Sequence, residues 1–260
     1  MSITAMTFNL RVNVDSDGTN AWPHRKHLAA AVIAGAAPHV VGTQEGTNHM
    51  LRDLDEALPS YRRIGTGRTG METDYDEFCA IYYNQESLTL LAQGQFWLSE
   101  TPEVPGSISW DSSYPRICTW GLFQNDEKEG QRFYVLNTHF DHLGTIARQQ
   151  SAQLVLKQIQ QFREKEQIPV VLMGDLNAEP DQPEIQQLEQ HLNSAYTLLS
   201  EPVGRTFHDF KGGTEGQPID YIFTTSDVRM GDIHLHRELL EGAYPSDHYA
   251  VSVTWTPANS

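Results

Sequence analysis

Short runs of apolar residues, separated by glycine, proline and polar turn formers, recur along the chain and predict β-strands. The clearest run, Val-Val-Leu-Met at 170–173, leads into Gly174, and Asp175 and Asn177 follow directly. Because a strand buried on both faces has no polar face, we expect this one to lie inside a sheet. Further strands are predicted over 3–8, 39–42, 61–64, 77–83, 88–98, 116–123, 132–139, 206–207, 219–224, 228–236 and 249–255.

Three longer segments carry apolar residues three and four positions apart, which predicts helices. The strongest helical pattern covers 146–165, and the others cover 22–37 and 48–58. Strands outnumber helices and follow one another as hairpins with helices inserted between them. This order predicts an α/β (α+β) protein in which mixed, mainly antiparallel β-sheets pack together, with the helices outside.

The 260 residues contain no linker-like stretch, no repeat and no run of like charges, and we expect a single domain over 1–260. The longest apolar runs have the length of strands, which predicts no membrane span. The first residues lack the basic start and apolar core of a signal peptide, so a cytoplasmic location is expected. Cys79 and Cys118 lie in apolar runs and are predicted to be buried free thiols.

The chain is strongly acidic, with 34 Asp and Glu residues against 18 Lys and Arg residues and a formal net charge of -16. Basic side chains that neutralise phosphates supply most of the nonspecific affinity of proteins for nucleic acids. The charge balance therefore makes a nucleic acid a possible but disfavoured partner. No segment of the sequence indicates a protein partner.

Two loops differ from ordinary connections. The glycine-rich tract 65–70 lacks the Lys-Ser/Thr pair of a phosphate-binding P-loop and is interpreted as a mobile loop. The segment 99–115 is irregular, and a loop of this length inside a compact domain is usually functional. It carries Trp110 and Tyr114, which we predict to lie at the rim of a binding site, a place in the core being the alternative.

Many polar residues stand at the ends of predicted strands. Asp175 and Asn177 can both point into a site there, although Asp and Asn also satisfy ordinary turns. The others at strand edges are Asn9, Glu45, His139, Asp220, Asp247 and His248. If these edges converge, they form a metal site with acid–base groups beside it. Carboxylate oxygens favour Mg²⁺, with Mn²⁺ as a substitute, whereas Zn²⁺ more often takes His or Cys ligands.

These residues lie in an order that resembles the endonuclease/exonuclease/phosphatase superfamily, which includes DNase I-like nucleases and inositol polyphosphate phosphatases. The resemblance spans 8–248 and implies a DNase I-like four-layer sandwich of two sheets. Residues 20–25 and 96–99 further resemble a bacterial subgroup of metal-dependent hydrolases. The six matching segments are Phe8-Asn9-Leu10, Gln44-Glu45, Thr138-His139-Phe140-Asp141, Gly174-Asp175-Leu176-Asn177, Ile219-Asp220-Tyr221-Ile222 and Ser246-Asp247-His248.

The resemblance also implies a metal site and a water-activating pair. Glu45 would be the principal Mg²⁺ ligand, and Asn9 and Asp247 would complete or support the site. Asp175 and Asn177 would position and activate the attacking water.

A second group of residues would face the phosphoryl oxygens. The resemblance implies that His248 is oriented by Asp220, and it gives Arg116 a phosphate-binding role. It also pairs His139 with Glu77, for which Asp74 and Asp76 are alternatives. A histidine near carboxylates keeps its proton more readily, so both histidines are predicted to be cationic at neutral pH. A cation and protonated imidazoles suit phosphoryl transfer because charge spreads over the nonbridging oxygens.

The resulting prediction is a Mg²⁺-dependent phosphoesterase that hydrolyses a phosphate mono- or diester by attack of an activated water. The acidic charge favours a small or medium substrate, with Trp110 and Tyr114 packing against it beside Arg116. A DNase I-like endonuclease or exonuclease is the first alternative, and a non-catalytic binding module is the second.

Overall fold

The computed structural model describes residues 2–71, 73–127 and 130–258. Within these ranges, two six-stranded β-sheets pack face to face, and helices cover the outer face of each. The predicted four-layer arrangement of mixed, mainly antiparallel sheets is therefore confirmed. No helix in the described part of the chain is long and apolar enough to cross a membrane.

The first sheet, sheet A, has the strand order β11-β12-β1-β2-β4-β3. Adjacent strands in sheet A run antiparallel, except for β1 and β2, which are parallel and joined through helix α1. Helices α1 (Trp22–Ala36) and α2 (Asn48–Ala57) cover its outer face. The strands of sheet A are β1 (Ile3–Asn9), β2 (Val40–Thr47), β3 (Tyr61–Ile64), β4 (Glu77–Asn84), β11 (Val228–His236) and β12 (Ala250–Pro257).

Sheet B has the order β5-β6-β7-β8-β10-β9, with β7 and β8 parallel and joined through helix α3. Helices α3 (Thr145–Lys165) and α4 (Pro183–Glu189) pack on its outer face. Short 3-10 helices cover 15–20, where Gly18 interrupts the helix, and 195–198. The strands of sheet B are β5 (Leu88–Trp97), β6 (Ile117–Asn125), β7 (Arg132–His139), β8 (Val170–Asp175), β9 (Asn193–Ser194) and β10 (Asp220–Thr224).

The central strands are apolar on both faces because each has a core on either side. In β1, Ile3 and Ala5 pack between the sheets, whereas Met6 and Phe8 pack under the helices, as the two-residue repeat of a strand requires. The same double burial explains the continuous apolar run of β8. Gly174 ends that run because a Cβ there would lie 2.0 Å from the carbonyl oxygen of Thr138 on β7.

One buried amide connects the two sheets. Asn137 of β7 donates from Nδ2 to the carbonyls of Thr43 and Ala80, at 2.9 Å each. Its Oδ1 accepts a hydrogen bond of 2.7 Å from Nε2 of Gln44. Sheet B is thereby hydrogen-bonded to β2 and β4 of sheet A in an otherwise largely apolar interface.

The strands and helices largely match the predicted ones. The exception is 206–207, where Phe207 forms only an isolated bridge with His248, so the predicted strand there was wrong. Cys79 and Cys118 are buried free thiols, as predicted.

Candidate active site

The carboxyl ends of the parallel pairs β1–β2 and β7–β8 open into one pocket of about 450 Å³. The two parallel pairs come from different sheets, so the pocket lies where both sheets meet. Nine of the twelve predicted site residues line it: Glu45, Glu77, Tyr114, Arg116, His139, Asp175, Asn177, Asp247 and His248.

Glu45 lies at an irregularity of β2, where the register with β4 shifts between Thr43 and Gly46. Its backbone adopts a left-handed conformation, with φ of 61°. The carboxylate accepts hydrogen bonds from the Val12 N–H at 2.8 Å and from Asn9 Nδ2 at 2.9 Å. Burial acts to raise the pKa of Glu45, but these hydrogen bonds outweigh it and hold the pKa below its usual value. The carboxylate is therefore ionised.

Asn9 lies beneath the pocket and links the two sheets there. Its Nδ2 donates to Glu45 and also to Oδ2 of Asp175, both at 2.9 Å. Its Oδ1 accepts a hydrogen bond of 2.8 Å from the Arg11 N–H. The amide thus fixes the separation of two carboxylates that belong to different sheets.

Asp247 completes an acidic side of the pocket with Glu45. Burial raises the pKa of Asp247, and the charge of Glu45 raises it further. Nε of Arg11 lies 3.7 Å from Asp247 but is closer to Asp17, at 2.9 Å. An ionised carboxylate whose charge raises the proton affinity of a second carboxylate suits a bound cation, and oxygen donors fit Mg²⁺ or Mn²⁺. The residues present therefore fit the metal that the sequence predicted.

Asp175 lies between the two predicted histidines. Its Oδ2 is 3.5 Å from Nε2 of His139 and 3.8 Å from Nε2 of His248. Burial and then the nearby charge of Asp220 raise the pKa of Asp175. A carboxylate with a raised pKa is a stronger base than an exposed one, which suits it to taking a proton from water.

His248 is paired with a buried carboxylate. Nδ1 of His248 lies 2.9 Å from Oδ2 of Asp220, which stands behind the ring and outside the pocket lining. Burial disfavours the charged ring, but the charge of Asp220 and this hydrogen bond outweigh it and raise the pKa of His248 to about 10. The ring is cationic at neutral pH, as the sequence predicted.

His139 differs from His248 in its charge. Burial and the positive charges of Arg116 and Arg68 hold the pKa of His139 well below its usual value. Its Nε2 lies 2.9 Å from Nδ2 of Asn177, an amide nitrogen that can only donate, so Nε2 accepts this hydrogen bond. The ring is therefore neutral, and the predicted cation at His139 was wrong.

Glu77 pairs with the guanidinium of Arg68, whereas the sequence predicted a pairing with His139. Two hydrogen bonds of 2.7 Å join its carboxylate to Arg68. The predicted pairing of Glu77 with His139 is thus replaced by a bidentate ion pair that holds Arg68 at the pocket wall. The ion pair also anchors the glycine-rich tract 65–70, and Nε1 of Trp97 donates to the Arg68 carbonyl at 2.6 Å.

Arg68 and Arg116 form a cationic side of the pocket around one aromatic ring. Their guanidinium carbons lie 4.8 and 6.0 Å from the centre of the Tyr114 ring. Arg116 also approaches His142, with 3.1 Å between Nη2 and Nδ1, and Asp141, at 3.4 Å. Trp110 does not line the pocket, in contrast to the prediction for both aromatics.

Sequence reasoning gave no role to several pocket residues and to one buried arginine. The missed pocket residues are Arg11, Arg68, His142 and Phe207. Arg11 and His142 directly neighbour the predicted segments 8–10 and 138–141, so closeness to a motif was an available signal for them. Arg68 lies on the glycine-rich tract 65–70, and its contacts in the pocket depend on how that tract folds back on β4.

The buried arginine is Arg25, which is 1% exposed and lies on α1. Its guanidinium donates to the backbone carbonyls of Leu10, Arg11, Asn20 and Pro245. One side chain therefore joins the loop after β1 to the segment that carries Asp247. The pattern Asn-x-Trp-x-x-Arg over 20–25 includes Arg25, but it did not predict these hydrogen bonds to backbone carbonyls.

Comparison with known proteins identifies the family of the chain. The sequence model described as Endonuclease/Exonuclease/phosphatase family matches residues 6–248, and the chain belongs to that family. Human nocturnin is 30% identical over 260 residues, which cover 88% of this chain and 57% of nocturnin. The chain thus spans about half the length of the curated relatives it matches.

Two solved bacterial structures are similar over almost their full lengths. A mannosyl-6-phosphatase from Bacteroides thetaiotaomicron is 32% identical, with a TM-score of 0.91 over 98% of this chain and 100% of the other. An endonuclease/exonuclease/phosphatase from Bacteroides vulgatus is 30% identical, with a TM-score of 0.91 over 99% of both chains.

Proposed function

We propose that the protein is a divalent-metal-dependent phosphoesterase that releases phosphate from a small monoester, with a sugar phosphate as the favoured class. The observation that supports this most directly is the division of the pocket into an acidic side, Glu45 and Asp247, and a cationic side, Arg68 and Arg116. A metal on the acidic side and guanidinium groups opposite would together surround the charge of a phosphate dianion.

Glu45 and Asp247 would hold Mg²⁺ through carboxylate oxygens, and Asn9 would hold Glu45 in place. When bound, the metal would neutralise charge that develops on the phosphate oxygens. Arg11, which lies 3.7 Å from Asp247, would stay with Asp17 when the metal is present, because two hydrogen bonds already hold it there.

The remaining residues divide between the water and the phosphate. Asp175 would accept a proton from the attacking water, and Asn177 would orient that water from the end of β8. His248 would donate a charged hydrogen bond to a phosphate oxygen, with Asp220 holding the ring. His139 would act as a neutral hydrogen-bonding group, because the arginines beside it keep it unprotonated.

Two observations favour a small substrate. A cavity of about 450 Å³ falls in the range of small-molecule sites and is suited to one phosphate with an attached sugar. The mannosyl-6-phosphatase similarity points to the same class. A nuclease is the second candidate, because the family includes nucleases. The net charge of -16 disfavours binding to a nucleic acid, which is itself negatively charged.

The substrate class is tested by phosphate release from hexose 6-phosphates, inositol phosphates and sphingomyelin with Mg²⁺, beside cleavage of a phosphodiester dye and duplex DNA. We expect a hexose phosphate to be hydrolysed best, with little change in kcat/KM as salt rises. Efficient duplex cleavage that falls with salt, by a log–log slope of about -0.9 per phosphate contacted, would instead support the nuclease.

The metal assignment is tested by Glu45→Gln, which keeps the shape of the side chain but removes its charge. We expect a higher Mg²⁺ concentration for half-maximal activity and a lower maximal rate, because Mg²⁺ is held by only one or two carboxylates. Glu56→Gln on α2, an exposed carboxylate, is the matched control. An unchanged Mg²⁺ titration in Glu45→Gln contradicts the assignment.

A further inference from the structure

Three potential metal ligands lie together at the free edge of sheet A, outside the catalytic pocket. His234 and His236 belong to β11, the terminal strand of the sheet, and Glu238 follows its end. One ligand atom from each residue lies within 4.8 Å of the other two. The two imidazole rings have centroids 4.4 Å apart, and Nε2 of His234 lies 3.7 Å from Glu238.

The backbone accounts for this grouping. Residues two apart on a strand project from the same face, so His234 and His236 must lie side by side. Ser252 on the neighbouring strand β12 stands opposite His234 in register, and its hydroxyl lies 3.0 Å from Nε2 of His236. A polar partner on one ring nitrogen fixes the orientation of the imidazole, which is the usual support of a metal-bound histidine.

We propose that His234, His236 and Glu238, the edge cluster, bind a transition-metal ion of the Zn²⁺ class. Two imidazoles and a carboxylate form a donor set that suits zinc and disfavours Mg²⁺, whose ligands are oxygens. His234 and Glu238 are exposed, so rotation of their side chains can bring the ligand atoms to zinc distances of about 2.0–2.2 Å. A fourth position stays open to water.

The location of the edge cluster gives the ion a structural effect. The segment 237–249 connects β11 to β12 and carries Asp247 and His248, and His236 is paired with Ala250 where the two strands meet the segment. An ion that joins His236 to Glu238 would fix the first residues of that segment to the edge of the sheet. Zinc would thus stabilise the folded chain without entering the catalytic pocket, and the site is independent of the proposed reaction.

The test is calorimetric titration of the full chain with Zn²⁺ in saturating Mg²⁺, which keeps the acidic side of the pocket occupied. We expect one zinc ion per chain, and a rise in Tm on its addition. His234→Ala and His236→Ala should each weaken zinc binding by at least about 10-fold, the lower bound for disturbing even a supporting group of a metal site. His191→Ala, an exposed histidine near α4, is the matched control and should bind zinc normally.

The variant Glu45→Gln distinguishes zinc binding in the pocket from zinc binding at the edge cluster. Zinc binding that survives in Glu45→Gln and is lost in His236→Ala supports the edge cluster. If wild-type protein saturated with Mg²⁺ binds no zinc, or if the double variant of His234 and His236 binds it as tightly as wild type does, the proposal is overturned. Zinc binding that is lost only in Glu45→Gln overturns it as well, since the ion would then lie in the pocket.

Discussion

His139 and His248 lie on opposite sides of Asp175, at 3.5 and 3.8 Å from the same carboxylate oxygen, yet they carry different charges. The difference comes from the next neighbour: Asp220 contacts His248, whereas Asn177 contacts His139 and two arginines lie nearby. Closeness to a carboxylate therefore does not fix the charge of a histidine. The sum of all charges around the ring does.

The largest expected effect distinguishes the two rings directly. His248→Ala should lower kcat by about 10³-fold and His139→Ala by about 10²-fold, within the range for positioned acid–base groups. The first change removes the cation that we propose faces the phosphate, and the second removes only a neutral hydrogen-bonding group. Steady-state rates at saturating Mg²⁺ measure both losses. A larger loss for His139→Ala would reverse the assignment of roles.

The partner of His248 should matter next. Asp220→Asn should lower kcat by about 10-fold to 10²-fold, less than His248→Ala, because Asp220 acts only through the ring. In a double-mutant cycle, adding Asp220→Asn to His248→Ala should cost little more than His248→Ala alone. A silent Asp220→Asn, or full additivity of the two losses, would show that the pair does not act as a unit.

Arg25 joins the loop after β1 to Pro245, which is close in sequence to Asp247. Arg25→Lys keeps the charge but cannot reach four carbonyls in a planar geometry, so activity should fall about 10-fold and the Mg²⁺ requirement should rise. Arg148→Lys, which is also buried, should lower Tm without changing the Mg²⁺ requirement. Equal Mg²⁺ titrations in both variants would reduce Arg25 to a general stabilising residue.

The smallest expected effect concerns the two aromatic residues that the sequence predicted at the rim. Tyr114→Ala should raise KM about 2-fold to 5-fold with little change in kcat, because it removes the ring that holds Arg68 and Arg116 beside each other. Trp110→Ala should leave both constants unchanged, since Trp110 does not line the pocket. A rise in KM for Trp110→Ala alone would restore the role that its sequence position predicted.

The convergence of the site could be predicted from the sequence because it depends on backbone geometry. Apolar runs located β1, β2, β7 and β8, and residues at the ends of these buried strands meet at one edge of the sandwich. The charge of His139 could not be predicted in this way. It depends on Arg68, which reaches the pocket from a loop that the sequence marked only as glycine-rich.

The partner of Glu77 and the place of Trp110 were missed for a related reason. Glu77 is the first residue of β4, and the family motif predicted His139 as its partner. In the structure the loop 65–70 places Arg68 against Glu77. Trp110 lies in the long segment 99–115, where no periodic pattern fixes the direction of a side chain. In both cases the sequence located the backbone correctly and left the side-chain contacts undetermined.

The proposed site is divided between two sheets and would be sensitive to their sliding, which the hydrogen bonds of Asn137 oppose. Asp175 and His139 belong to sheet B, whereas Glu45 and Asn9 belong to sheet A, so any displacement of one sheet shears the site apart. A misplacement of about 1 Å can cost about 10²-fold in rate. A methyl group at Gly42 would lie only 2.7 Å from Asn137 and Met173 of the opposite sheet and would act as a wedge. If the proposed activity holds, the turnover number would depend on the alignment of the two sheets and would fall on a small displacement before any strand unfolds.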